Sequence, residues 1–310
     1  MAADKTVYLE VDQAVARLDQ YLAAELPELS RSQLKKLIQQ QKVLVDHQPA
    51  KPSTALKAGD LVTVHLPAPE PGEIPAETIP LDIIFEDDDL IVVNKPAGMV
   101  VHPGQGHSTG TLVNALLARY PDLAALVQSD EAVVNRPGLV HRLDRDTSGL
   151  MIVARHATAL SRLQQQFKSR KVEKIYLALI FGRPEAPEGI IDVPLGRDPR
   201  HRQKIAPRLE GKPARTHYRL VKAFHDYSLL EVKLETGRTH QIRVHLAWLK
   251  YPVVGDTVYG RRRNLLGLER QFLHAWRLGF QHPRSQTWMA FEAPLPDDLQ
   301  TILDQLGTGG

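Results

Sequence analysis

The chain has 310 residues, 43% of them hydrophobic, which is enough for one large or two modest packed domains. Cysteine is absent, which excludes disulfides, thiolate zinc sites and the cysteine nucleophile of enzymes that methylate C5 of pyrimidines. Lys and Arg number 39 against 36 Asp and Glu, a net charge of +3 that by itself indicates a polyanionic partner only weakly. No apolar run approaches the roughly 18 residues of a membrane span, and no signal segment is recognisable. We therefore expect a soluble cytoplasmic protein with no membrane association.

Residues 12–66 are predicted to form a small α/β domain. Apolar side chains at helical spacing predict two short helices, the first around Leu18 and the second after Ser30. Alternating apolar residues then predict strands at 43–45 and 62–66.

The second of these helices is basic. It has no acidic residue between positions 29 and 45, and it carries Arg31, Lys35, Lys36 and Lys42. This stripe can contact phosphates, although an ordinary solvated helix face has the same composition.

The section resembles an S4 RNA-binding domain. The resemblance lies in RLD at 17–19, SRS at 30–32, VLVD at 43–46 and AGDLV at 58–62. One departure is Asp46-His47, where S4 domains often carry Asn-Gly. RNA contacts are therefore expected from Arg17, Arg31, Lys35 and Lys36.

Residues 67–80 are rich in proline, which keeps the backbone extended and removes hydrogen-bond donors. We expect a semi-rigid linker here.

Residues 81–306 are predicted to form an α+β domain on a mixed, mostly antiparallel sheet, because strand patterns follow one another with few helices between them. An amphipathic helix is expected from Leu160 to Phe167, and a second begins near Thr239. Strands are expected at 81–85, 90–93, 150–154, 175–181, 215–221 and 229–234.

Basic residues in this section are clustered. Residues 197–219 include eight Lys or Arg and only two acidic residues, and further basic groups lie at 162–174 and 261–263. Segregated charge is the footprint of a nucleic-acid groove, and solvated loops are the alternative. The candidate RNA contacts in the first cluster are Arg200, Arg202 and Lys204.

A charged loop, HRLDRDTSGL at 141–150, leads into an apolar strand. Turn chemistry and surface ion pairing account for such a loop on composition alone. The sharper interpretation is that Asp144 is a nucleophile or base whose charged form is favoured by flanking arginines.

Two further segments carry candidate site residues. KIYLAL at 174–179 places Tyr176 in an apolar strand, where a core role is the ordinary interpretation. In LETGRTHQIRVH at 234–245, Arg243 lies one step round from the buried helix face, so we expect it at the domain's edge, within reach of a carboxylate.

These segments together resemble the large-subunit ribosomal RNA pseudouridine synthases, and among them the D type, which joins an S4 domain to the catalytic domain. LIVVNKPAGMVVHP at 90–103 and PVVGDTVYG at 252–260 also look like family signatures, and the matches run from about residue 17 to 296. The resemblance implies the pseudouridine synthase fold and isomerisation of specific uridines in large-subunit RNA, free or in pre-ribosomal particles.

The resemblance also implies roles for four residues. Asp144 is the essential carboxylate, Arg243 pairs with it, Tyr176 packs against the target base, and Arg142 enters the stack that the flipped base leaves. No cofactor and no metal are expected, because the isomerisation involves no redox change and no transferred group. A monomer is expected from the family.

Three alternatives stay open on the sequence. The enzyme can act on another RNA, such as transfer RNA. The chain can be a non-catalytic ribosome assembly factor in which Asp144 is a structural ion pair. It can also be a hydrolytic N-glycosidase, which would release the free base.

Overall fold

The computed structural model describes residues 5–26, 34, 37–66, 74–104, 108–126, 136–201, 204–260 and 266–308. These residues form a small N-terminal unit, up to residue 66, and a larger unit from residue 74 onwards. Among the helices described, none combines the length and the apolar character needed to cross a membrane.

The small unit is an antiparallel four-stranded sheet packed on helix α1 (Leu18–Glu25). Its strands are β1 (Lys5–Glu10), β2 (Val43–Val45), β3 (Gln48–Pro49) and β4 (Leu61–Leu66), in the order β1-β4-β2-β3. The core contains Leu18, Leu22, Val43, Val62 and Val64.

The strands expected at 43–45 and 62–66 are present, whereas β1 was not predicted. The first helix begins at Leu18, and Val15 lies before it in a bridge to Leu56. Of the second predicted helix, residues 37–39 are helical, and much of the remainder lies outside the described residues.

The turn between β2 and β3 forms without Asn-Gly. Asp46 and His47 have φ values of 47° and 64°, the left-handed pair of a type I′ hairpin. The Asp46 side chain accepts the backbone N–H of Leu61 at 3.0 Å, and this bond offsets part of the conformational cost.

The larger unit is built on a nine-stranded sheet. Its strands are β5 (Asp82–Glu86), β6 (Leu90–Lys95), β7 (Ser148–Ala154), β8 (Glu173–Phe181), β9 (Glu188–Asp192), β12 (Arg215–Ala223), β13 (Tyr227–Leu234), β14 (Leu273–Gln281) and β15 (Trp288–Glu292). The order is β5-β6-β7-β14-β8-β13-β12-β9, with β15 paired to β14. The β7–β14 pair is parallel and the others are antiparallel, so the predicted fold class is confirmed.

Two further strands, β10 (Leu195–Arg197) and β11 (Ile205–Pro207), form a separate antiparallel ribbon. The helices of the larger unit are α2 (Leu112–Arg119), α3 (Ala157–Lys168), α4 (Gln241–Trp248) and α5 (Asp297–Thr308), with a 3-10 helix at Pro121–Leu126.

Apolar side chains cover both faces of the nine-stranded sheet. One core includes Leu112, Leu116, Ile242, Leu246 and Leu299, which bring α2, α4 and α5 together. The other core includes Leu160, Leu163 and Phe280, which pack α3 on the opposite side. Burial of this apolar area is the main source of stability.

The register at the centre of the sheet places the charged loop beside Tyr176. Gly149, which follows the loop, is opposite Ala275 on β14, and Ala275 is in turn opposite Tyr176 on β8. A Cβ at Gly149 would lie 2.3 Å from the carbonyl oxygen of Ala275, and its φ is 117°, so glycine is required for this close approach.

Charged side chains hold the hairpin turn between β5 and β6. Asp89 accepts hydrogen bonds from His156 (2.9 Å) and contacts Arg284 (2.8 Å), and His282 lies 2.9 Å from Asp87. Arg284, His156 and His282 thus connect the β5–β6 turn with the turn after β7 and the turn between β14 and β15.

Candidate active site

The loop at 141–147 is held by hydrogen bonds to its backbone and to its side chains. Arg270 donates to the carbonyl of Asp146 at 3.2 Å, and the Gln271 amide donates to the Thr147 hydroxyl at 3.2 Å. At the start of the loop, the His141 imidazole accepts the N–H of Ile152 on β7 at 2.9 Å. These hydrogen bonds therefore restrain the conformation of the loop.

Lys95, at the end of β6, supplies a further anchor and is fully buried. Its ammonium lies 2.9 Å from the carbonyl oxygen of Arg145 in the loop, with the carbonyls of Pro96 (2.7 Å) and Met99 (2.9 Å) as its other acceptors. Burial lowers the pKa of Lys95 to about 7, against the attraction of the nearby Asp146 and Asp144 carboxylates. Three carbonyl acceptors match the three protons of the ammonium form.

Arg243, on α4, bridges two carboxylates. It donates Nη1 to Oδ2 of Asp144 at 3.0 Å, and it makes a bidentate pair with Asp256 through Nε (2.7 Å) and Nη2 (3.0 Å). Asp256 also accepts the backbone N–H groups of Val258 and Tyr259. Burial lowers the pKa of Arg243, but the hydrogen bonds and charge of Asp256 outweigh it, so the net shift is upward.

The position of Arg243 differs from the expectation of a residue at the domain's edge. Its side chain is 5% exposed, and the Asp256 side chain is fully buried. A buried guanidinium is tolerated because Asp256 matches its charge and its fork of donors. Sequence reasoning missed Asp256, which lies in a turn with no periodic pattern.

Tyr176 is buried and lines the same cleft as Asp144. Burial, and then the negative charge of Asp144, raises the pKa of Tyr176 above its ordinary value. The hydroxyl is therefore neutral at physiological pH, and the ring offers an apolar face to a planar ligand.

His240 and Tyr259 were not predicted as site residues, although both lie in segments singled out from the sequence. His240 Nδ1 is 2.9 Å from the Tyr259 hydroxyl, and Nε2 is 3.9 Å from Oδ1 of Asp144. The Tyr259 ring also stacks on the Arg243 guanidinium at 5.2 Å.

Asp144, Tyr176, His240 and Arg243 line a cleft of about 550 Å³. Arg142 is exposed within it, and His102 lies nearby with a pKa lowered to about 4 by burial and by Arg142 and Arg136. Among the residues that the structure describes, seven cationic side chains line the cleft, against the carboxylates of Asp144 and Glu235: Arg136, Arg142, Lys168, Arg170, Lys174, Arg238 and Arg243. Such a cleft attracts a polyanion.

Three of the predicted RNA contacts lie among the described residues. Arg200 and Lys204 are exposed at the β10–β11 ribbon, and Lys204 reaches the carbonyl of Val258 at 3.3 Å. Arg17 is exposed in the small unit and paired with Asp19. The other predicted contacts lie outside the described residues: Arg31, Lys35, Lys36 and Arg202.

The arrangement suits chemistry at a sugar carbon. Oδ2 of Asp144 is held by Arg243, while Oδ1 lies farther from its neighbour His240. A carboxylate fixed in this way can stabilise or attack a carbon that develops positive charge as a glycosidic bond breaks.

Comparison with known proteins gives the class. The RNA pseudouridylate synthase family matches residues 89–248, and the S4 domain matches residues 16–62. A chain of known structure, human RNA pseudouridylate synthase domain containing 1, superposes with a TM-score of 0.58 at 28% identity, covering 76% of this chain and 96% of the human one.

Relatives match over nearly the whole chain. An uncharacterised RNA pseudouridine synthase of Chloroflexus aurantiacus is 56% identical, covering 98% of this chain and 94% of the relative. The ribosomal large subunit pseudouridine synthase D of Nitrosomonas europaea is 45% identical, covering 98% and 88%. The chain belongs to the RNA pseudouridine synthase family and carries an S4 domain, so it is an isomerase that converts uridine in RNA to pseudouridine.

Proposed function

We propose that this enzyme isomerises specific uridines of large-subunit ribosomal RNA, with Asp144 as its essential carboxylate. In this reaction the bond from C1′ to N1 breaks and a bond from C1′ to C5 forms. The C5 hydrogen leaves as a proton and N1 takes one up, so the product is an isomer of the substrate.

The observation that carries the proposal is the bridge from Asp256 through Arg243 to Asp144 at the floor of a basic cleft. Asp256 fixes the guanidinium, and the guanidinium in turn fixes one oxygen of Asp144. Because the bridge is largely buried, the carboxylate has a defined direction before RNA arrives.

The geometry also supports base flipping. A uridine in a stem must leave the stack to reach Asp144, at a cost of a few kcal/mol. Arg142 is exposed in the cleft, and its planar guanidinium suits the space between bases. Tyr176 then packs against the uracil, and its neutral hydroxyl is available near the base.

The choice of RNA rests on two supports. Relatives at 42–45% identity are named ribosomal large subunit pseudouridine synthase D. The second support is the RNA-binding S4 domain.

Residues 12–66 are proposed as the S4 RNA-binding domain, residues 67–80 as the linker and residues 81–306 as the catalytic domain. Arg17, Arg200 and Lys204, together with Arg31, Lys35, Lys36 and Arg202, are the proposed phosphate contacts.

The test is tritium release from RNA labelled at uracil C5. Large-subunit RNA transcript, pre-ribosomal particles and transfer RNA are each incubated with wild type, Asp144→Asn and Asp146→Asn. Asp146 is the matched control, because it is a carboxylate of the same loop whose side chain pairs with Arg145. We expect Asp144→Asn to reduce release by more than about 1000-fold while RNA binding is retained.

Pseudouridine in the large-subunit RNA product of wild type and Asp146→Asn, but not of Asp144→Asn, would support the proposal. Release from transfer RNA alone would overturn the assigned substrate. Undiminished release by Asp144→Asn would overturn the role of the carboxylate.

A further inference from the structure

His240 is held in a backbone conformation that costs energy. Its φ and ψ are 55° and 19°, in the left-handed region that residues with a Cβ rarely adopt. It stands at the N-cap of α4 and makes no side-chain capping bond to the helix. The imidazole is instead turned into the cleft, where its side chain is 23% exposed.

We assign the imidazole's tautomer from the hydrogen bonds around Tyr259. The Tyr259 hydroxyl oxygen accepts the backbone N–H of Ile205 on β11 at 2.9 Å, which leaves the hydroxyl proton for His240 Nδ1, also at 2.9 Å. The proton of the neutral imidazole is then on Nε2. That nitrogen faces Oδ1 of Asp144, the oxygen that Arg243 does not hold.

We infer that His240 is a positioning residue of this enzyme, which directs Oδ1 of Asp144 through its Nε2–H group and is itself held by Tyr259. The inference rests on the proposed role of Asp144. Arg243 holds Oδ2, and His240 faces Oδ1, so a hydrogen bond from Nε2–H would restrict rotation of the carboxylate.

The distance of 3.9 Å between Nε2 and Oδ1 is longer than a hydrogen bond. Catalytic hydrogen bonds are often long in ligand-free sites and tighten in the complex with substrate, and here a movement of about 1 Å would be enough. With neutral His240, Oδ1 keeps its charge for the sugar carbon or the proton on which it acts.

Protonation of His240 changes this balance. The groups that face the imidazole are Asp144, Arg243, Asp256, Arg142 and the Tyr259 hydroxyl. Burial lowers the pKa of His240, Asp144 opposes that shift, and the arginines support it. The imidazole is therefore neutral near pH 7, and in acid it becomes a cation that pairs with Oδ1 and withdraws its charge from the reaction.

The experiment compares His240→Ala and His240→Gln in the tritium-release assay across a pH series from about 5 to 8. The Gln side chain can present an amide N–H where Nε2 lies, but it does not titrate. We expect His240→Ala to lower kcat by about 30-fold with KM changed less than about threefold. His240→Gln should recover most of kcat, and its activity should decline less than that of wild type on the acid side.

His217→Gln is the matched control, because His217 also contacts a carboxylate, Glu235, at 2.6 Å but does not face Asp144. Tyr259→Phe should lower kcat by about tenfold, since it leaves the tautomer of His240 undefined.

Equal losses in His240→Ala and His240→Gln, or kcat of His240→Ala within about threefold of wild type, would overturn the inference. Asp144→Asn is assayed in parallel. If it is inactive while the His240 variants match wild type, the inference fails and the proposed function stands. If Asp144→Asn is fully active, the proposed function itself fails.

Discussion

At the scale of single residues, Asp256 explains why Arg243 can be buried. A guanidinium transferred from water to the interior loses several kcal/mol of hydration, and one partly exposed carboxylate such as Asp144 does not replace it. Asp256 supplies a second, fully buried carboxylate in bidentate geometry. Arg243 is thereby fixed from one side and free to hold Asp144 on the other.

Asp256→Asn should therefore impair both stability and catalysis. Breaking a buried pair costs about 3 to 5 kcal/mol, and we expect a loss of that order in the free energy of unfolding, with kcat lowered about 10- to 100-fold. Denaturant unfolding and tritium release measure the two effects.

The control for Asp256→Asn is Asp298→Asn, since Asp298 pairs with Arg270 in the same bidentate way but is 47% exposed. Its loss should not exceed about 1 kcal/mol. Equal losses in the two variants would contradict the importance given to burial.

Arg142 offers a second prediction at this scale. If it holds open the stack that uridine leaves, Arg142→Ala should lower kcat/KM by about 100-fold on a stem substrate, a change of nearly 3 kcal/mol. A substrate whose target uridine is already unpaired should recover much of that loss, because less flipping is needed.

Arg145→Ala, which removes the exposed neighbouring arginine of the same loop, is the control for Arg142→Ala. Arg145→Ala should lower kcat/KM only slightly, and by the same factor on the paired and the unpaired target. An equal defect of Arg142→Ala on paired and unpaired targets would show that Arg142 contributes charge rather than stacking.

At the scale of elements, the loop at 141–147 is positioned by strand register and by a few buried donors. β6, β7 and β14 meet at the C-terminal end of the loop, around Ser148 and Gly149, and Lys95 joins β6 to the loop carbonyl of Arg145. Lys95 therefore fixes the segment that carries Asp144, although it does not line the cleft.

Lys95→Met should loosen this element. Methionine fills a similar volume but leaves three partly buried carbonyls without their donor, and an unsatisfied group costs up to about 1 to 3 kcal/mol. Removal of the buried charge offsets part of this, so we expect a net loss of about 2 to 3 kcal/mol in the free energy of unfolding. Hydrogen exchange of residues 144–148 should also become faster.

Lys171→Met, at an exposed lysine, is the comparison for Lys95→Met and should change neither quantity. Unchanged exchange at 144–148 in Lys95→Met would mean that Arg270 and Gln271 are sufficient to hold the loop.

At the scale of the whole molecule, the sequence predicted the fold class and most central strands, because alternation and apolar runs are local signals. It did not predict the parallel pairing of β7 with β14, which joins segments more than a hundred residues apart. Nor did it place Arg243 correctly, since helical periodicity assigns a charged residue to the solvent side. Asp256 and Tyr259 become partners of Arg243 and His240 only after the chain has folded.

The larger unit also contains buried neutral histidines that link its stability to pH. His274 is fully buried, accepts the Ser148 hydroxyl proton at 2.8 Å and donates to the Ala293 carbonyl at 3.1 Å. Burial lowers its pKa to about 4, and burial with the Lys174 charge lowers the pKa of His141 to about 3. Both imidazoles are uncharged in the native state at neutral pH.

The sign of the effect follows from proton binding. Below about pH 6.5 the unfolded chain protonates these histidines, whereas the native state does not until pH approaches 4. The stability that these two histidines contribute is therefore complete well above pH 6.5 and is lost as the solution is acidified, by up to about 1.4 kcal/mol per pH unit for each histidine.

Tryptophan fluorescence reports the pH dependence of unfolding in the larger unit alone, because Trp248, Trp276 and Trp288 all lie there. Urea unfolding of the full chain at several pH values between about 4.5 and 7.5 should show the midpoint falling below pH 6.5. His274→Asn should reduce the slope without abolishing it, because the pKa values of His141 and His102 are also depressed, whereas His225→Asn, at a side chain that is 96% exposed, should leave the slope unchanged. A wild-type midpoint that is constant down to pH 5 would show that the two histidines are already protonated in the folded protein.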